Sequence, residues 1–182
     1  MSEERFDTLS RMAPGKVAGH LATLTQTLFV WHDERTGTRT SDNVPRILAR
    51  AMADHRTAIE ASSGALPHPL LSALARFSLD NRGEAIGGAY TLCGAALGLR
   101  PALRVADLTA PAERDQADAL AAAGGAMYGR WRGIRMAIDR WGLEHPDLQA
   151  DVLAGACTAF CVALTILDAM VEQNAPEASD HA

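Results

Sequence analysis

Lysine is almost missing from this chain. Lys16 is the only one in 182 residues, and arginine carries the positive charge, which reads first as a high-GC compositional bias. The formal net charge is -5 and no long basic run occurs, so the chain lacks the clustered Lys/Arg of a nucleic-acid-binding surface. Aromatics make up only 5% of the residues. Val, Ile and Thr are also sparse between the turns, which leaves strands little support. There are three cysteines, an odd number, and the N-terminus opens acidic (Ser2-Glu3-Glu4) where a secretory signal would be basic and then apolar. No apolar run reaches the ~20 residues of a membrane span without interruption. The longest, residues 152–171, contains Gly155, Thr158, Thr165 and Asp168 and reads as a buried helix. The expectation is a cytoplasmic protein with reduced thiols and no membrane contact.

What the chain has in quantity is alanine and leucine, within a hydrophobic share of 48%. That composition suits an all-α fold, and the length suits one domain with one sizeable core. Residues 1–13 read as a flexible N-terminus, 14–173 as the helical domain and 174–182 as a polar, disordered tail. Pro14-Gly15 opens a first helix that carries His20, Leu24, Leu28 and Trp31 at helical spacing, and a polar loop follows from Asp33. Ser41 or Asp42 can cap a second helix that begins near Pro45 and reaches Glu60. A short third helix is expected over residues 70–79, and a glycine-bearing helix from Glu84 to about Leu99, with Pro101 just beyond its end. A less regular stretch then leads to Gly124-Gly125, which introduces a helix through Trp131 and Trp141. Gly142 and Pro146 close that helix, and Asp147 caps a last one.

The glycine-bearing helix is the most informative segment. Its apolar run Tyr90-Thr-Leu-Cys-Gly94-Ala-Ala-Leu-Gly98 follows Gly87-Gly88. Each glycine inside a soluble helix costs about 1 kcal/mol relative to alanine, so several on one helix imply close approach to the backbone. Either a partner helix packs there or a flat ligand lies across that face.

In this order of helices the chain resembles the bacterial heme oxygenases, especially the short type that accompanies bacteriophytochromes. Residues 84–98 are similar to the family's distal helix. Gly125-Ala-Met-Tyr128-Gly-Arg-Trp131 resembles its "YG … W" segment, Arg56-Thr-Ala-Ile-Glu60 the end of its second helix, and Ala156 with Phe160 its C-terminal helix. The resemblance implies a heme-oxygenase-like multi-helical bundle that cleaves heme, substrate and cofactor together, to biliverdin, carbon monoxide and iron. It also implies an electron-donor reductase as partner, and a bacteriophytochrome or signalling protein as a further one. Gly94 and Gly98 become the distal glycines, where side chains would fill the oxygen site. His20 becomes the iron ligand, and Arg130 and Arg132 the cations that meet the heme propionates. The chain departs from the family pattern in two places. Leu99 stands where a second glycine is usual, and the family's spacing points near Thr23, three residues past His20 on the same helix face. A non-catalytic tetrapyrrole-binding or protein-interaction member of the fold is the alternative.

Each of these residues also has a plainer reading. His20 can be an ordinary histidine in the first turns of a helix, and Gly94 and Gly98 can serve helix packing. Arg130, Arg132 and Arg135 can be solvated, with Arg135 paired to Asp139. Cys157 and Cys161, one turn apart, read as core cysteines of an apolar helix, and His55 has no flanking pattern that would mark a phosphoacceptor.

Overall fold

The computed structural model describes residues 17–36, 46–60, 72–104 and 111–174. Among them there is no strand, and the all-α expectation holds. Among the described residues, five helices of fifteen residues or more carry the fold: α1 (Val17–Thr36), α2 (Arg46–Glu60), α3 (Arg82–Arg104), α4 (Pro111–Glu144) and α5 (Gln149–Asn174). The glycine-bearing α3 is the central element. It packs most extensively on α5 and next on α4, while α1 touches α3, α4 and α5, and α2 closes the far side against α4. Ile86, Leu92, Cys93, Ala96, Leu99 and Leu103 of α3 lie in the core with Leu120 and Ile134 of α4 and Val162 and Ile166 of α5.

α3 begins where its sequence provides a cap. The Glu84 amide donates to Asn81 Oδ1 at 3.0 Å, and the Glu84 carboxylate accepts from the Asp80 amide at 2.6 Å. This reciprocal pairing satisfies amides that have no partner inside the helix. Of the short third helix expected over 70–79, residues 72 and 73 are helical, and 70 and 71 lie outside the described residues. The helix gives way to a turn over 74–76, and 77–80 run without regular structure into the cap. The interior is tied down as it passes: Trp31 Nε1 donates to the Phe77 carbonyl at 3.4 Å, and Leu74 and Leu79 are buried.

Four boundaries differ from the sequence reading. α3 does not stop before Pro101 but runs through it to Arg104. Leu99 and Leu103, both buried, anchor the turns on either side of the proline, and that packing outweighs the ~3 kcal/mol a proline costs inside a helix. Gly124-Gly125 does not start a helix but lies within α4, which is continuous from Pro111. Ala117, Leu120, Ala123 and Met127 bury one face across the glycines, and the surrounding alanines favour helix strongly. Asp147 does not cap the last helix. A 3-10 turn, Pro146–Leu148, precedes α5 instead, and the Gln149 side chain holds the Gly142 carbonyl at 3.1 Å across the corner. The bounds of α2 agree with the sequence reading, and α1 extends to Thr36, past the expected loop at Asp33. The proposed caps Ser41 and Asp42, the flexible N-terminal residues 1–13 and residues 175–182 of the tail lie outside the described residues; Asn174 belongs to α5.

Candidate functional site: the glycine faces of the central helix

The glycines of α3 do two different jobs. Gly83 and Gly87 lie at the crossing with α5, together with Gly155 of that helix. A Cβ on Gly87 would overlap the Val152 carbonyl oxygen and come 2.8 Å from the Ala156 amide nitrogen; one on Gly155 would run into the Glu84 backbone. On Gly83 it would stand 2.6 Å from the Asp151 Cβ and 3.0 Å from the Leu148 carbonyl. Here two helix backbones are in contact, and glycine on both sides is what permits it. Gly88 borders α1, where a Cβ would meet His32 Cδ2 at 3.1 Å.

Further along, the contacts open out. A Cβ on Gly94 would meet only Trp131, at an ordinary 3.5 Å, and on Gly98 it would meet nothing within 4 Å. Trp131 stacks on Tyr90, with ring centroids 4.9 Å apart and planes 25° from parallel. The two rings form an aromatic border one turn from Gly94. Tyr128, one turn earlier on α4, is 74% exposed. Leu99 points the other way: it is 4% exposed and belongs to the core. Leu99 therefore leaves the Gly98 face uncovered.

The cationic and imidazole candidates are spread over other elements. His20 is half-buried near the start of α1. Its neighbour Gly19 faces Gln116 of α4, which places His20 at the end of the bundle where α4 begins. Arg130 turns to α2, where its guanidinium meets the Asp54 carboxylate at 2.6 Å, so it is already committed to a carboxylate of this chain. Arg132 is exposed. The structure thus brings Gly94 together with Trp131 and Tyr90, and takes Arg130 to Asp54.

Two histidines are buried elsewhere. His32, 1% exposed, bonds the Ala85 carbonyl through Nε2 at 3.0 Å. A carbonyl only accepts, so Nε2 carries the proton and this ring links α1 to α3. Its Nδ1 lies 3.9 Å from Asp33. Burial works against the charge on Asp33, but His32 and Arg56 outweigh it and hold the carboxyl below its usual range. His55, 3% exposed, lies against Phe29 with ring centroids 5.1 Å apart. Burial pushes this imidazole down to about 4, opposed only by the backbone of Ala123. A neutral ring packed among apolar groups has a structural role, and desolvation is the cause of its shift.

The last helix corrects two expectations, that residues 152–171 are buried and that Cys157 and Cys161 are core. Both thiols are exposed, with Leu153 and Phe160 67% and 61% exposed beside them. Among the described residues, Pro146–Met170 is the one stretch long and apolar enough to cross a membrane. Its inner face, Gly155, Ala159, Val162 and Ile166, is the part that is covered. By contrast Cys93, on α3, is buried, and its thiol is pushed up to about 12. The Tyr90–Trp131 stack is invisible in the sequence because each residue belongs to its own motif; only the fold brings the two motifs together. The chain matches no family model, no curated protein and no solved structure.

Proposed function

We propose that the chain binds heme, or a tetrapyrrole of the same shape, across the face of α3 that presents Gly94 and Gly98. The observation that supports this most is the open backbone at Gly98, with Leu99 turned into the core beside it. A flat macrocycle needs a floor without side chains and an apolar border, and Gly98 with the Tyr90–Trp131 pair fits both requirements. The ligand class comes from the family resemblance. In this reading His20 is the iron ligand from α1 and Arg132 an exposed partner for a propionate. Arg130 is the weaker of the two arginines because Asp54 already holds it. Bound heme would supply the redox-active iron; the chain would supply the floor, the border and the exclusion of water. The activity that belongs with this reading is oxidative cleavage of heme to biliverdin, carbon monoxide and iron, with electrons from an external reductase.

Hemin titration of the purified protein, followed by reductant and oxygen, tests it. A Soret band that is lost in Gly98→Leu and in His20→Ala, with biliverdin absorbance after reduction, is the expected result. Binding that survives His20→Ala removes that ligand, and no binding at all removes the proposal. A second reading, a non-catalytic interaction protein of a signalling context, is favoured by one observation: the exposed apolar face of α5.

A further inference from the structure

We propose that the outer face of α5 is a two-fold interface with a second copy of this chain. The face is a continuous stripe, Ala150, Leu153, Ala154, Cys157, Phe160, Cys161 and Leu164, running opposite the residues that pack on α3. Leu153 and Phe160 are 67% and 61% exposed; Ala150, Ala154, Cys157 and Cys161 are exposed as well, and Leu164 is half-buried. The steps of three and four residues are those of a helix-to-helix seam. No charged residue occurs on α5 between Asp151 and Asp168.

The pattern complements itself. If two copies meet antiparallel about an axis at Cys157, residues at equal distance on either side of it face each other. Leu164 and Ala150 lie seven residues from Cys157 in opposite directions, so each leucine meets an alanine. By the same rule Phe160 meets Ala154 and Leu153 meets Cys161 of the other copy, while Cys157 faces its own counterpart. Large side chains meet small ones along the centre line, and the two helix dipoles oppose. Isologous two-fold contacts of this kind are the commonest way for a chain to close such a face.

The size of the face fits a reversible dimer. The stripe is about 21 Å long at 1.5 Å per residue, and a helix is about 10 Å across. That footprint, about 200 Å² on each copy, is small beside the roughly 1,200–2,000 Å² that stable specific interfaces bury, so the pair associates weakly and reversibly. Leu143, 80% exposed, extends the apolar surface at the corner where Gln149 holds Gly142. A lipid surface is a poorer occupant. Helices that lie on membranes carry Lys and Arg on their polar face, and α5 has neither, with only Asp151, Asp168 and Glu172 as charges. Each copy carries a formal net charge of -5, so added salt should strengthen association by screening the repulsion between copies.

The proposal concerns a surface separate from the Gly94–Gly98 face, so the hemin result leaves it unaffected. Sedimentation velocity over a range of concentrations should show a monomer–dimer equilibrium that shifts toward dimer with salt. Leu153→Glu and Phe160→Glu should each give a monomer with an unchanged thermal melt. A short bismaleimide, which alkylates one thiol on each copy, should join two wild-type chains. Cys161→Ser should keep that cross-link and Cys157→Ser should abolish it, whereas Cys93 is buried and should not react. Monomer at every concentration without a Cys157 cross-link would overturn the interface. So would glutamate variants that dimerise like the wild type, or a wild-type monomer that binds phosphatidylcholine vesicles.

Discussion

α3 and α5 are both apolar and both carry glycine, yet one is enclosed and the other is half bare. α3 is covered by α1, α4 and α5, and what it leaves open is a short glycine face near Gly98. α5 is covered on the side of Gly155, Val162 and Ile166 and exposes Leu153 and Phe160 on the other. Where the two helices meet, Gly87 and Gly155 bring backbone against backbone. Apolar composition therefore fixes how much surface a helix wants covered, but not which face receives a partner.

The contrast is most sharply broken at the crossing itself. Gly155→Ala places a methyl group against the Glu84 backbone, where no flexible side chain can yield. It should cost on the order of 3 kcal/mol, the upper range of overpacking, read as a lower urea midpoint. The two faces of α5 come next. Ile166→Ala, fully buried, should cost about 2–5 kcal/mol. Leu153→Ala should stay within about 0.5 kcal/mol at a concentration where the chain is monomeric. Equal losses in those two variants would mean that the outer face is covered within the monomer.

A third expectation lies outside both helices. Burial holds the His55 imidazole at about 4 in the folded chain, well below its ordinary value, so the unfolded chain binds the proton more readily. Stability from this group is complete above about pH 6.5 and is lost as pH falls toward 4, an effect on the order of a few kcal/mol. Urea unfolding at pH 7 and 4.5 should show that loss, and His55→Leu should remove this part of it. An unchanged pH dependence in the variant would place the acid-sensitive group elsewhere.

Local signals carried much of the fold. Alanine and leucine imply an all-α chain, and the apolar spacing of α2 places its end at Glu60. The same signals fail where distant residues decide. Pro101 and Gly124-Gly125 look like breaks, but Leu103, Leu120 and Met127 hold those turns in the core. Cys157 and Cys161 look buried because their helix is apolar all round, and no local pattern says that α3 covers only one side of it. For the candidate site, Gly94 and Gly98 are visible as anomalies. That Gly87 is the packing glycine and Gly98 the open one follows only from what stands across from each. The same holds for Arg130, whose partner Asp54 lies on another helix.

One pair of substitutions is the most telling. The glycines of α3 divide into a packing set and an open set, and Gly87→Ala and Gly98→Ala test that division side by side. Unfolding free energies should move in opposite directions. Gly87→Ala should lose stability against the Val152 carbonyl, whereas Gly98→Ala should gain up to about 1 kcal/mol, the helix preference for alanine. Losses of similar size in both variants would contradict the division, because Gly98 would then be packed as closely as Gly87.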